Sequence, residues 1–320
     1  MQIIGNLFNI ILFVTVVGGA FTLLSLLANR VFHFSLPLWF SICGILAYIV
    51  PLPAPGLYLI PPVKQSWING YYTACVVWVG GIVILSVVDV VRTTLAHHAI
   101  RSYRVCTDER IKDICIRCGQ RIGIKRNPSI YFGTLDDPAC VVGTLHPAII
   151  LNEVIVKQLT DIELTVVLTH EITHIKRGHI ILERIFHYVC LINWFNLLSW
   201  IAKKDFAVQC EVDCDRHTLK LLHGRITEVD YASAMLRLLE LSMVHTGKPD
   251  YGMSALGFLL AKRRMELIMS RPTKTKSIII TIILAVLLTA TILFSIMLSR
   301  GHFYPYPAYD TLPEYSSVVE

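Results

Sequence analysis

The sequence predicts an α-helical multi-pass membrane protein of about four transmembrane helices with an inserted α+β domain on its cytosolic side. Three observations predict it. The 320 residues are 54% hydrophobic and 16% charged, with a mean hydropathy of +0.58, which is apolar for a soluble protein of this length. Two runs of 22 residues, 7–28 and 277–298, carry no charge, and at about 1.5 Å per residue either can cross a hydrocarbon core of about 30 Å. Residues 92–276 hold 26 of the 29 basic residues against 19 acidic ones, so this block, at +7, accounts for a chain of net charge +6.

In chain order, the first expected span is 7–28. Residues 1–6 have no basic n-region, so this run reads as an anchor and not a cleaved signal peptide. The second is 34–53, apolar and ending in proline, and the third is 71–91, with Asp89 near its end. Residues 92–276 form the inserted domain, 277–298 the fourth span and 299–320 a short tail. The concentrated positive charge puts the domain in the cytosol, with both termini extracytoplasmic. The nine cysteines are scattered, and a reducing compartment disfavours bridges. Cys115 and Cys118 share helical spacing with Ile111, Ile114 and Ile122, the pattern of a core stripe more than of a metal or redox pair. Neither a phosphate-binding glycine loop nor a nucleic-acid module is present, and the basic block is better matched to acidic lipid headgroups.

Within the domain, residues 129–132, 140–143 and 146–151 carry strand signals around the turn-like Leu135-Asp136-Asp137-Pro138. A helix follows: Thr160-Asp161-Ile162-Glu163 is a capping box, which leaves His170-Glu171-Ile172-Thr173-His174 two to three turns inside. Two imidazoles four apart share one helix face and can offer two nitrogens to one tetrahedral zinc. Glu171 can then reach a water at the metal as general base. Downstream, Glu211 and Asp215 are again four apart. Glu211 is the expected third ligand, which leaves a fourth position to water, and Asp215 the expected carboxylate behind a ligand imidazole. The inserted domain is therefore expected to be a zincin-like protease domain of the gluzincin type, holding one zinc ion per chain. His179, nine residues after His170, is expected to face away from the metal. His146, Arg216, His217 and Tyr231 are unranked candidates for stabilising the transition state. The substrate is expected as an added strand along the sheet edge at 142–151, beginning with Val142, Gly143, Thr144 and Leu145.

Residues 185–202 lie between the two ligand segments and are strongly apolar. Crossing the membrane there would part Glu211 from His174. The stretch is therefore expected as a re-entrant or interfacial helix or as buried core, with Trp194 and Trp200 near the headgroups.

Taken together, the blocks Cys140 to Leu151, Leu168 to His179, Asn193 to Trp200, Glu211 to Asp215, Tyr231 to Leu239 and Arg263 to Leu267 resemble the BlaR/MecR-type antirepressor membrane zinc metallopeptidases, over about Arg92 to Arg271. The resemblance implies an endopeptidase that cuts a regulatory protein, or itself, to transmit a signal. Position by position it implies His170, His174 and Glu211 as zinc ligands, Glu171 as base and Asp215 as support. Beta-lactam sensors of this kind carry a penicillin-binding domain after the last span. Here about twenty residues follow Leu298, so a trigger from a separate sensor protein or the membrane is expected. The expected partners are a cytosolic repressor or a membrane-anchored regulator as substrate, the lipid bilayer and a second copy of the chain, with no direct nucleic acid. Two alternatives stand beside this reading: a heat-shock-type quality-control protease of the membrane, and a non-catalytic zinc-dependent membrane receptor.

Overall fold

The computed structural model describes residues 11, 14–23, 25–26, 38–48, 65–135 and 137–246, with Arg264, Glu266, Ile282, Val286 and Thr289. The described residues are mostly helical. Short apolar helices α1 (Val14–Leu23) and α2 (Leu38–Ala47) fall inside the first two expected spans. Helix α3 (Gln65–Arg101) contains the third. Among the described residues α3 is the one helix long and apolar enough to cross a membrane, over Tyr72–Ile100. Its outward side is a column of aliphatic residues, including Val76, Ile84, Val87 and Val90, each more than half exposed. The helix runs on past the end of the expected 71–91 span, without interruption, to Arg101. Most of the expected fourth span, and the tail after it, lie outside the described residues.

Beyond α3 comes a four-stranded mixed sheet of β1 (Arg104–Val105), β2 (Ser129–Phe132), β3 (Ala139–Val142) and β4 (Ala148–Leu151), in the order β1-β2-β4-β3. β2 and β4 are parallel, whereas β3 pairs antiparallel with β4, Cys140 opposite Ile150 and Val142 opposite Ala148. Helix α4 (Glu109–Ile122) starts at the Asp108 cap and stops at Gly123 in the left-handed region. Its buried stripe, Ile111, Ile114, Cys115, Cys118 and Ile122, packs into one core with the sheet and the next long helix. Cys115 and Cys118 belong to this core, and burial pushes the Cys115 thiol up to about 12, so it stays protonated and apolar. All nine cysteines are free.

After the single turn α5 (Glu153–Val156), helix α6 (Asp161–Arg177) begins at a complete capping box, with Thr160 and Glu163 each bonding the other's backbone, and ends at Gly178 with φ 68°. Helices α7 (His179–Ile192), α8 (Leu197–Leu222) and α9 (Glu228–Thr246) follow. Residues 185–202, expected as a re-entrant or interfacial helix or as buried core, form the closed end of an α7–α8 hairpin with Phe186, Val189, Cys190 and Ser199 buried. Backbone bonds at Asn193 and Asn196 turn the chain, and the Asn196 side chain caps α8. Two antiparallel helices bring the chain back to the side it left, as a single helix of that length would not.

The hairpin's closed end sits against α3. Trp78 Nε1 donates to Ile192 O (2.9 Å) and Trp194 Nε1 to Trp78 O (3.1 Å). The Trp194 ring lies so close to Gly81 that a Cβ there would fall 2.4 Å from it. Thr15 Oγ1 of α1 donates to the buried Asn193 (2.8 Å). Nearer the sheet domain, Asp89 meets His187 Nε2 at 2.8 Å and Arg184 at 3.5 Å, while Lys203 reaches His187 Nδ1 at 3.0 Å. α3 is thus fastened to α7 and to the hairpin turn by polar contacts, with Lys203 of α8 joined through His187, and the same hairpin sets where α8 approaches α6.

Candidate metal centre

Helix α6 carries His170, Glu171 and His174, and α8 carries Glu211 and Asp215. The packing of the two helices brings their polar faces together. His170 Nε2 and His174 Nε2 are 3.1 Å apart, and the Glu211 carboxylate stands 3.3 Å from the first and 3.4 Å from the second. Zinc bonds nitrogen and carboxylate oxygen at about 2.0–2.2 Å, so a tetrahedron of its ligands has edges of about 3.3–3.5 Å. The three side chains stand close to such a spacing, the two nitrogens slightly nearer than an edge and each facing a different oxygen of Glu211. Behind them, Asp215 Oδ1 lies 3.1 Å from His170 Nδ1 with no exposed surface of its own, which fits the carboxylate that fixes a ligand's tautomer.

A second grouping, with Cys214 and one ring nitrogen from each of His170 and His174, also falls within 4.8 Å. The Glu211 set is the better site. Cys214 Sγ lies 3.3 Å from His179 Nδ1, which is 3.3 Å from His174 Nδ1, so the sulfur sits behind the rings, away from the Nε2 atoms facing Glu211. Burial, reinforced by the surrounding carboxylates, drives the Cys214 thiol far up, and a zinc ligand must be a thiolate.

His179, expected as a surface or core histidine turned away from the metal, is a core residue that lies nearer the site than the helical wheel places it. It is fully buried and touches His174, because α6 ends at Gly178 and His179 starts a new helix in a new direction. A rotation of about 100° per residue does not carry across a left-handed residue. Asp213, on a different face from Glu211, lies 3.4 Å from His179 Nε2 and pairs with Arg177, extending the support from His174 to α8.

The cavity beside these donors has a volume of about 490 Å³, and Glu171, Glu183, Cys140 and Arg264 are on its wall. His146, Arg216, His217 and Tyr231 are not on that wall. His146 is exposed on the β3–β4 turn, and the Tyr231 hydroxyl is buried and donates to Asp215 (2.7 Å). The expected edge strand also shifts. β4 is interior, paired on both sides, and Gly143 with φ 86° turns Gly143, Thr144 and Leu145 out of the sheet, leaving Leu145 exposed. Only Val142 belongs to the edge, which is β3. Asn152 N donates to Pro138 O (2.9 Å), and in an antiparallel pair bonding alternates. Cys140 and Val142 therefore bond inward to β4, while Ala139 and Val141 direct their N–H and C=O groups to the open edge.

The charges around the donors favour a cation. Burial opposes protonation of His170, but Asp215 and Glu211 outweigh it and raise its pKa to about 10. For Glu211 burial is likewise overcome, by His170 and His174, and its carboxyl is held well below the usual range. Asp215 is held at about 2 against its burial, chiefly by Arg264. Glu171 goes the other way: burial raises its carboxyl, with only partial relief from the two imidazoles, the direction that suits a proton acceptor working near neutral pH.

Sequence reasoning missed Arg264. Its guanidinium grips Asp215 through Nε (2.8 Å) and a terminal nitrogen (2.6 Å) and reaches Glu211 at 3.1 Å. The available signal was the Arg263-Arg264-Met265-Glu266 block itself, which has no ligand spacing to mark it. Glu183, one helical turn after His179, was also missed.

With this arrangement in view, the comparisons define the class. Residues 60–268 match the sequence profile of the BlaR1 peptidase M56 family. The chain belongs to that family. It is 29% identical to the methicillin resistance mecR1 proteins of Staphylococcus aureus and Staphylococcus epidermidis over 162 residues, 49% of this chain and 27% of theirs. To the regulatory protein BlaR1 of Bacillus licheniformis it is 22% identical over 230 residues, 69% of this chain and 37% of that one. The matched region thus spans between about a quarter and two fifths of these curated relatives.

The raised His170 sets a pH dependence. In the metal-free protein the protonated ring contributes stability in full below its unfolded value near 6.5, lost as pH rises through about 10. Zinc requires the neutral ring, so uptake at pH 7 should release about one proton and tighten with pH. Calorimetric titrations in two buffers of different ionisation enthalpy measure this, and zero proton release at pH 7 would contradict it.

Proposed function

We propose that this chain is a membrane-bound zinc endopeptidase that cuts one peptide bond in a regulatory protein, of the repressor type or itself, to transmit a signal. The observation that carries the reading is Glu171 on the cavity wall beside two imidazoles and a carboxylate whose polar atoms lie 3.1–3.4 Å apart. Membership of a peptidase family supports the reaction class, and the relatives' names, one a regulatory protein and the others methicillin resistance proteins, support a signalling role. Zinc held by His170, His174 and Glu211 would lower the pKa of a bound water towards about 7 and polarise the scissile carbonyl. Glu171, its carboxyl raised by burial, takes the proton from the attacking water and returns it to the leaving amine. The substrate lies extended along β3, its main chain bonded to Ala139 and Val141, so the scissile amide is presented to the donors.

Replacing Glu171 by Gln keeps all three ligands and removes the base. Cleavage should fall by at least about 100-fold with zinc content unchanged, and the variant should trap its substrate. Proteomics of cells carrying it separates the readings. One or two accumulating proteins fit a regulator, dozens fit quality control, and an intact signalling phenotype fits a receptor that does not cut. Val141→Pro deletes an outward N–H and no bond to β4. Peptide cleavage should slow without loss of zinc, and an unchanged rate would remove β3 as the substrate edge.

The same reading places the α7–α8 closed end in the bilayer. It touches α3 at Trp78 and Gly81, and the Asp89 cluster lies eight to eleven residues further along, about 12–17 Å. With 71–91 across the membrane, that cluster sits towards the cytosolic surface and the closed end reaches well into the apolar layer. Leu197 at its tip is 71% exposed, an exposure that suits lipid. An Asp there should destabilise by about 2.5–3.5 kcal/mol in lipid, against about 0.5 kcal/mol or less on an aqueous surface. Unfolding of Leu197→Asp in nanodiscs distinguishes the two.

A further inference from the structure

We propose that Arg264 is a positioning residue that completes the metal centre from the C-terminal segment by holding Glu211 and Asp215 in their working orientations. The proposal rests on the zinc reading above and adds the residue that fixes the site's carboxylates. Three geometric facts carry it. The guanidinium meets Asp215 fork to fork, Nε with Oδ2 at 2.8 Å and a terminal nitrogen with Oδ1 at 2.6 Å. Its other terminal nitrogen stands 3.1 Å from Glu211 Oε2. The Arg264 side chain is 17% exposed and that of Asp215 not at all, which separates this contact from surface ion pairs of little consequence.

Each contact fixes an orientation. Glu211 projects from α8 on a chain with three rotatable bonds, yet its two oxygens must stand opposite two different imidazoles, Oε2 at His170 and Oε1 at His174. A donor on Oε2 removes rotational freedom the helix alone leaves. Asp215 must keep Oδ1 turned to His170 Nδ1 (3.1 Å) while the same oxygen accepts from Tyr231, and bidentate grip through both oxygens sets the plane of that carboxylate. The guanidinium also supplies the positive charge that a fully buried Asp215 requires. Lysine has the charge but lacks the planar fork that spans both carboxylates. Arg264 stands thirteen residues before the uncharged run 277–298, so the centre is assembled from three separate stretches of chain.

The test is zinc affinity by chelator competition on the full-length protein in detergent, with the visible spectrum of the cobalt-loaded protein as a report on ligand geometry. Arg264→Lys and Arg264→Gln should each bind zinc about 10- to 100-fold more weakly and alter the cobalt spectrum. Arg264→Lys keeps the charge and so guards against simple unfolding. Asp215→Asn combined with Arg264→Gln removes the buried charge together with its partner, and its loss should fall well short of the product of the two single losses. Wild-type affinity and an unchanged spectrum in both Arg264 variants, or losses that multiply, would overturn the positioning role while leaving the zinc site standing. A wild-type protein that takes up no zinc would instead defeat the zinc reading, and this role with it.

Discussion

Everything in this structure answers to one requirement, that a carboxylate on α8 stand within 3.4 Å of two ring nitrogens on α6. Four acidic side chains, Glu171, Glu211, Asp213 and Asp215, crowd around three histidines, with Asp215 and His179 fully buried and Glu171 and Glu211 facing the cavity. Such a cluster is costly unless every charge meets an opposite one. The rest of the site supplies partners for three of them: Arg264 and Tyr231 on Asp215, Arg177 on Asp213, and the imidazoles with Arg264 on Glu211, whereas burial raises the Glu171 carboxyl. The resulting field draws positive charge to the Nε2 positions, either as a proton, which is why His170 is so basic, or as a divalent ion.

The requirement also explains the connection between the ligand helices. His174 and Glu211 are separated by a stretch of apolar chain that must leave the site and come back. It does so as two antiparallel helices closed by buried Asn193 and Asn196, and part of its hydrophobic surface is taken up against α1, α2 and α3 while Leu197 at the tip stays exposed. The hairpin thereby joins the helix most suited to cross a membrane to the helix that carries Glu211. Asp89, Arg184, His187 and Lys203 form a second link between the same elements, so α3 is connected to the helix of the metal centre at two levels of the hairpin.

Much of this was legible in local sequence. The capping box at Thr160 and Glu163 fixed the start of α6, the four-residue spacings put His170 with His174 and Glu211 with Asp215, and the stripe through Ile111, Cys115 and Cys118 gave the core face of α4. The misreadings came where a local rule was carried past its range. His179 was set on a helix that had already ended at Gly178. The substrate edge was drawn through 142–151 because strand signals do not say which strand lies outermost, and the pairing left β3 outside and β4 within.

What the sequence determined by itself, then, are properties that repeat every few residues or act within one turn: amphipathic stripes, caps, ligand pairs on one helix face and long apolar runs. Tertiary structure alone decided which pair meets which, that residues 185–202 fold back as a hairpin, and that Arg264, 49 residues from Asp215, closes the site. The physical reason is range. Backbone periodicity acts over about one helical turn, whereas a contact between distant segments depends on how whole helices pack, and an arginine carries no periodic mark of the carboxylate it will meet.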